Sequence, residues 1–218
     1  YTMTITDAKG CIHSAPYVVT EPPTAVALTS MPINVSCFGG NDGGVDLTTV
    51  GGTPGYTYEW VSVAGGLLPY VTEDISTIPA STYTVIVTDM NGCQDTLSQL
   101  VSEPLAPLSS TETLVHILCF GDATGSIDPG IAGGTTAYSY AWSNGATTPA
   151  LTAITAGTYD LIVTDFNGCV DTYSYTLTEP ATPLNSILTG TNILCFGDAT
   201  GEITTNTDGG TLDYSYLW

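Results

Sequence analysis

The segment Gly157 to Cys169, Gly-Thr-Tyr-Asp-Leu-Ile-Val-Thr-Asp-Phe-Asn-Gly-Cys, recurs along the chain, and no other feature limits the possible folds as much. Ser81 to Cys93 is a second copy and Tyr1 to Cys11 a truncated one. Tyr159, Leu161 and Val163 alternate with Asp160, Ile162 and Thr164, which is the period of a strand with one face toward a core. Asn167-Gly168 then supplies two residues that readily adopt the positive φ of a tight hairpin. Other landmarks keep time with this segment: Cys11, Cys93 and Cys169; Cys37, Cys119 and Cys195; Trp60, Trp142 and Trp218; and the closing Glu-Pro at 21, 103 and 179. Each set is spaced by 82 and then 76 residues. Such self-similarity marks an array of small units. It divides the chain into 1–22, the C-terminal part of a repeat; 23–104 and 105–180, two complete repeats; and 181–218, the N-terminal part of another. The length difference falls in Val61 to Ser81, which is longer than Ser143 to Gly157 and reads as a surface connection.

Within 105–180 the pattern predicts strands over Glu112 to Phe120, Ser126 to Ile131, Ala137 to Ser143, Thr148 to Ile154, Tyr159 to Asp165 and Cys169 to Thr178. Gly-rich or Asn-Gly turns separate most of them. No stretch carries a 3.6-residue period with caps, so almost no helix is expected. Six or seven short strands in ~80 residues describe an immunoglobulin-like β-sandwich. The expected fold class is therefore all-β, with tandem immunoglobulin-like repeats stacked head to tail. Trp60, Trp142 and Trp218 are expected in the cores. Tyr58 and Tyr140, two residues earlier, share their face, and Tyr56 and Tyr138 extend it. Tyr83 and Tyr159 are placed to cap a corner through their hydroxyls.

Lys9 is the only basic side chain against 21 acidic ones, for a formal charge of -20. Nucleic-acid affinity comes largely from Lys and Arg neutralising phosphates, so nucleic acid is excluded as a partner. Adsorption to anionic lipid fails for the same reason. A mean hydropathy of +0.22 separates this acidity from that of disordered chains, which are hydrophilic. No apolar run reaches the ~18 residues that span a bilayer, so no membrane insertion is expected. No leader is recognisable: the sequence opens inside a repeat at Tyr1 and closes inside another at Trp218. Targeting, anchoring and tip segments are expected outside these residues.

Six regularly placed cysteines, without Cys-x-x-Cys, point to disulfides in an oxidising, extracellular compartment. In an immunoglobulin-like repeat, Cys119 lies at the first turn and Cys169 at the last hairpin, at opposite poles. Strands of ~8 residues separate the poles by ~25 Å, far beyond the ~7 Å that a bridge allows. In a head-to-tail stack Cys37 would meet Cys169, leaving Cys11, Cys93, Cys119 and Cys195 for units outside the chain. The alternative pairs Cys11 with Cys37, Cys93 with Cys119 and Cys169 with Cys195, and requires neighbouring units to fold back.

No nucleophile elbow, metalloprotease helix, phosphate loop or dinucleotide fingerprint is present. His13 and His116 occupy non-equivalent positions, so neither reads as a shared catalytic base, and no enzyme activity is expected. Calcium is the one cofactor with candidate ligands, since it takes carboxylate and amide oxygens. Asp89, Asn91 and Asp95 supply one set, and Asp165, Asn167 and Asp171 supply the other. The competing reading is that Asp89 and Asp165 cap their hairpins by accepting backbone N–H bonds.

Cys-Phe-Gly-Asp-Ala-Thr-Gly at 119–125, Gly-Gly-Thr ahead of Tyr-x-Tyr-x-Trp, Gly-Thr-Tyr-x-x-x-Val-Thr-Asp-x-Asn-Gly-Cys and the closing Thr-Glu-Pro together resemble the SprB repeat. That repeat occurs in very large surface adhesins of gliding bacteria of the Bacteroidota type. The resemblance spans essentially the whole chain; Lys9 in place of Asn and Ser81 in place of Gly are small departures. It implies a repetitive stalk segment of a filamentous cell-surface adhesin, exported by type IX secretion and serving attachment and gliding. The implied partners are neighbouring repeats, a gliding motor or outer-membrane anchor reached through other regions, and the substratum surface or its polysaccharide. A glycan-binding or accessory repeat region of a secreted multidomain protein is the alternative.

Overall fold

A computed structural model describes residues 1–62 and 66–218; residues 63–65, within the longer connection after Trp60, lie outside the described residues. The chain divides into two compact units, Tyr1–Glu103 and Pro104–Trp218. All regular structure is β, and the described residues contain no helix.

The first unit opens with a hairpin of β1 (Thr2–Thr6) and β2 (Ile12–Pro16). A six-stranded sandwich follows: β3 (Ala27–Ile33), β4 (Gly43–Val50), β5 (Thr57–Ser62), β6 (Ile75–Ile78), β7 (Ser81–Thr88) and β8 (Gln94–Val101). Its sheets are β3-β4-β6 and β5-β7-β8, antiparallel throughout. This is the immunoglobulin arrangement of strands A-B-E against C-F-G, lacking the D strand.

The second unit repeats the sandwich with β9 (Thr113–Val115), β10 (Gly125–Asp128), β11 (Ser139–Trp142), β12 (Leu151–Ile154), β13 (Gly157–Thr164) and β14 (Val170–Leu177). Its sheets are β9-β10-β12 and β11-β13-β14. A pair, β15 (Asn185–Thr191) and β16 (Glu202–Asp208), completes the unit.

Alternation sets each core. In β7, Tyr83, Val85 and Val87 point inward between partly exposed Thr and Ile positions. They pack with Val45 and Leu47 of β4, Trp60 of β5 and Val101 of β8. Ile127, Trp142, Leu161, Val163 and Leu177 occupy the same places in the second sandwich. Antibody domains put a disulfide between strands B and F beside the strand-C tryptophan. Here buried aliphatic pairs, Val45 with Val85 and Ile127 with Leu161, share the core with that tryptophan. Burying each such side chain contributes about 1.5–3 kcal/mol.

One strand differs from expectation. Glu112 to Phe120 reads as a single strand, but β9 ends at Val115. The chain then crosses toward the other sheet, where the Ile117 amide donates to the Thr178 carbonyl at the end of β14. Only Ile117 of the apolar run turns inward, while Leu118, Cys119 and Phe120 are exposed. The first sandwich makes the same crossing, with the Val35 amide donating to the Ser102 carbonyl.

Candidate functional site

The hairpin aspartates sit at the centre of a repeated hydrogen-bond network. Asp89 is buried and accepts from the amides of Thr53 at 2.8 Å, Asn91 at 2.9 Å and Cys93 at 2.8 Å. Asn91 Nδ2 donates back to Thr53 Oγ1 at 2.7 Å, which locks the β7–β8 hairpin to the Gly51-Gly52-Thr53 loop. Asp165 repeats this with the amides of Thr135, Asn167 and Cys169 at 2.8, 2.9 and 2.9 Å. Asn167 Nδ2 likewise donates to Thr135 Oγ1. The glycine before each threonine is required by contact: a Cβ on Gly52 would lie 2.7 Å from Asp89 Oδ2, and one on Gly134 2.6 Å from Asp165 Oδ2. Asp7 caps the β1–β2 hairpin alone, through the amides of Lys9 and Cys11.

These bonds hold the Asp89 carboxyl below its ordinary value, the Thr53 amide foremost, with Cys93 and Asn91 adding to it. Burial alone would raise Asp165, but the amides of Thr135, Cys169, Asn167 and Gly168 outweigh it and the net shift is downward. Lone pairs facing N–H groups form a cap, whereas a calcium ion needs those lone pairs for itself. Asp95 and Asp171 stand on the following strands. The former accepts from the Thr96 amide, and the latter from the Thr172 amide and the Tyr173 hydroxyl. Among the described residues no group of three or more His, Cys, Asp or Glu is arranged to hold a metal ion.

The aromatic candidates are also built into the framework. Trp60 and Trp142 are buried, and their Nε1 atoms donate to the Thr72 and Thr148 carbonyls at 3.0 and 2.9 Å. Tyr58 and Tyr140 are half-buried against the two cores, and burial raises both hydroxyls above their ordinary pKa. Tyr56, Tyr138 and Tyr214 each donate to the carbonyl of a glycine five residues earlier, closing the Gly-Gly loop of their repeat. Tyr83 and Tyr159 donate to the carbonyls of Pro79 and Thr155, each forming a tyrosine corner where the chain enters β7 and β13. Trp218 departs from the core expectation. It is 76% exposed, because the described residues supply no second sheet over β15–β16.

Cys37 and Cys169 are disulfide-bonded. Cys11, Cys93, Cys119 and Cys195 are exposed free thiols. Within the second sandwich, Cys119 and Cys169 lie at opposite ends. The Cys119 loop is held at the far end of β14, where Glu179 accepts from the Gly121 amide at 2.6 Å. Cys169 sits at the β13–β14 hairpin. Glu103 holds Gly39 of the Cys37 loop in the same way.

Two functional positions escaped the sequence reading. One is this glutamate of the closing Glu-Pro, whose recurrence was visible but whose partner was not. The other is His116, whose Nδ1 accepts from the Thr178 amide at 3.1 Å, as Asn34 Oδ1 accepts from Ser102 at 3.0 Å. The two side chains occupy equivalent positions in unlike form, so neither looked meaningful alone.

The family model of the SprB repeat matches residues 29–65, 111–147 and 188–218. No curated protein gives a significant match. Among solved structures, the chain is similar to the three N-terminal domains of the highly immunogenic outer capsid protein Hoc of bacteriophage RB49. The identity is 15% and the TM-score 0.40, over 86% of this chain and 70% of that one. The family matches fall one per repeat, each covering the first strands through the tryptophan or its immediate surroundings. Repeats of this kind form the repeat regions of cell-surface adhesins, and these three successive matches show that the chain carries SprB repeats.

Proposed function

We propose that this chain is a segment of the extracellular stalk of a filamentous adhesin that serves attachment and gliding, with no catalysis of its own. The observation that carries this reading is the identical use of aromatic residues in successive repeats. Trp60 and Trp142 are interior, and Tyr56, Tyr138, Tyr83 and Tyr159 donate their hydroxyls to backbone carbonyls of their own repeat. A glycan-binding strip would instead present such rings on an exposed face. The acidic candidates support the same reading, since Asp89 and Asp165 fasten loops.

For the cysteines, the proposed link is Cys37 with Cys169, joining the first-turn loop of one repeat to the last hairpin of the following one. It is supported by these two being the disulfide-bonded cysteines while the other four are free. Such a bridge crosses a junction between repeats that would otherwise bend freely. The partners of a stalk are its neighbouring repeats. An outer-membrane anchor or the gliding motor would be engaged by other regions, as would the substratum and its polysaccharide. Export by type IX secretion belongs to the same proposal.

The test is an antibody raised against residues 105–180, labelled fluorescently and followed on living cells of the source organism. Label that travels along the cell surface is the expected result. Static label, or label released to the medium, would favour a fixed adhesin or an accessory region of a secreted protein.

A further inference from the structure

The disulfide-bonded cysteines divide the strands of the two complete sandwiches unevenly. Cys37 follows β3 and precedes every other strand of its sandwich, whereas Cys169 follows every strand of the second sandwich except β14. The residues between them, 38–168, therefore hold most of both cores. Val45, Trp60 and Val85 of the first lie there, as do Ile127, Trp142 and Leu161 of the second. Outside this segment each complete sandwich keeps a single strand, β3 in one and β14 in the other.

We propose, resting on the pairing of Cys37 with Cys169 proposed above, that the bridge carries pulling force past both sandwiches, so that their cores stay folded in a chain under tension. Force applied along the chain runs from residue 23 through β3 to Cys37, crosses to Cys169 and leaves through β14 toward Pro180. Residues 38–168 form a closed loop hanging from that path, and no tension runs along their backbone. The two strands on the path have little length to yield. Ala27–Ile33 and Val170–Leu177 are already extended. A strand rises about 3.3 Å per residue, and a fully stretched chain reaches only about 3.3–3.6 Å per residue. Pulling therefore gains almost nothing by stripping either strand from its neighbours. Reduction converts the chain to an extensible form. A thiolate of a dithiol reductant attacks one bridge sulfur, the other leaves as a thiolate, and the reductant closes into its own disulfide. Load then passes through every strand, and each sandwich opens at its own forced-unfolding rate.

The experiment is single-molecule stretching of the whole chain, held by peptide tags at its two ends, with the free thiols of Cys11, Cys93, Cys119 and Cys195 alkylated beforehand. The bridged chain should stop lengthening at about 300 Å, the reach of residues 1–37 and 169–218, whereas the reduced chain should reach about 750 Å. A dithiol reductant is then added while the bridged chain is held under constant force. Cores that stayed folded should give a small response when the bond breaks, followed after separate waiting times by two discrete steps, one per sandwich. Together these steps recover the missing length of about 450 Å. Release of that whole length in one jump as the bond breaks would show that the cores had already been pulled open, and would overturn the shielding while leaving the pairing in place. A bridged chain that instead reaches about 680 Å, as a Cys93–Cys119 bond hiding only residues 94–118 would allow, overturns the pairing and the shielding with it. The same holds for a chain that reaches its full length before any reductant is added. Cys37→Ser should stretch like the reduced chain without reductant, and a limit of about 300 Å in that variant would likewise overturn the proposal.

Discussion

At the residue scale, stability rests on buried carboxylates whose oxygens accept from backbone amides of two chain segments. Asp89 and Asp165 have pKa values below the ordinary 3.8 because amides of two chain segments point at them. A carboxyl depressed on folding contributes stability that is complete above its unfolded pKa of about 3.9 and is lost as pH falls through the lower folded value. Thermal melts of wild type and an Asp89→Asn, Asp165→Asn variant should therefore differ by a constant gap at neutral pH. The gap should narrow only as pH drops below about 4. Because the carboxylates cap loops, a chelator should leave the melting temperature unchanged; a fall on chelation, reversed by calcium, would put a cation back at Asp89 or Asp165. Gly125 shows what close approach demands. A Cβ there would lie 2.7 Å from Leu177 Cδ1 and 2.9 Å from both Ile117 Cδ1 and the Ile154 carbonyl. Gly125→Ala should cost about 1–3 kcal/mol, the usual penalty of overpacking, in a denaturant titration.

At the scale of elements, each complete repeat is a sandwich whose loops are tied down by single recurrent side chains. Glu179 holds the Cys119 loop and Glu103 the Cys37 loop. Glu179→Ala should make the Gly121 amide exchange with solvent faster, while amides of β13 and β14 stay protected, and hydrogen exchange followed by mass spectrometry resolves the two. The hairpin strands were legible because Tyr159, Leu161 and Val163 alternate cleanly and Asn167-Gly168 marks the turn. The first strand was misjudged because Ile117-Leu118-Cys119-Phe120 has the composition of a strand, yet the chain changes sheets there and only Ile117 finds an interior. Side-chain partners across 58 to 65 residues, such as Glu179 with Gly121 or Ser110 with Tyr175, leave no mark in local pattern.

At the scale of the whole molecule, spacing of Cys, Trp and Glu-Pro made the array readable before any strand was placed. The interior fate of the aromatics was legible for Trp60 and Trp142 from their strand position. It was not legible for Trp218, whose burial depends on a sheet that 181–218 does not itself contain. A stalk gains stiffness only if successive repeats are joined, and the cysteines are the groups in this chain able to join them covalently. The deciding measurement is a mass-spectrometric peptide map of the unreduced protein. Cleavage should be at acidic residues, since Lys9 is the only basic site. A peptide pair linking Cys37 to Cys169, with thiols free at the other four cysteines of the monomer, is the predicted result. Cys37 joined to Cys93 or Cys11, or Cys93 joined to Cys119, would contradict the stapled array.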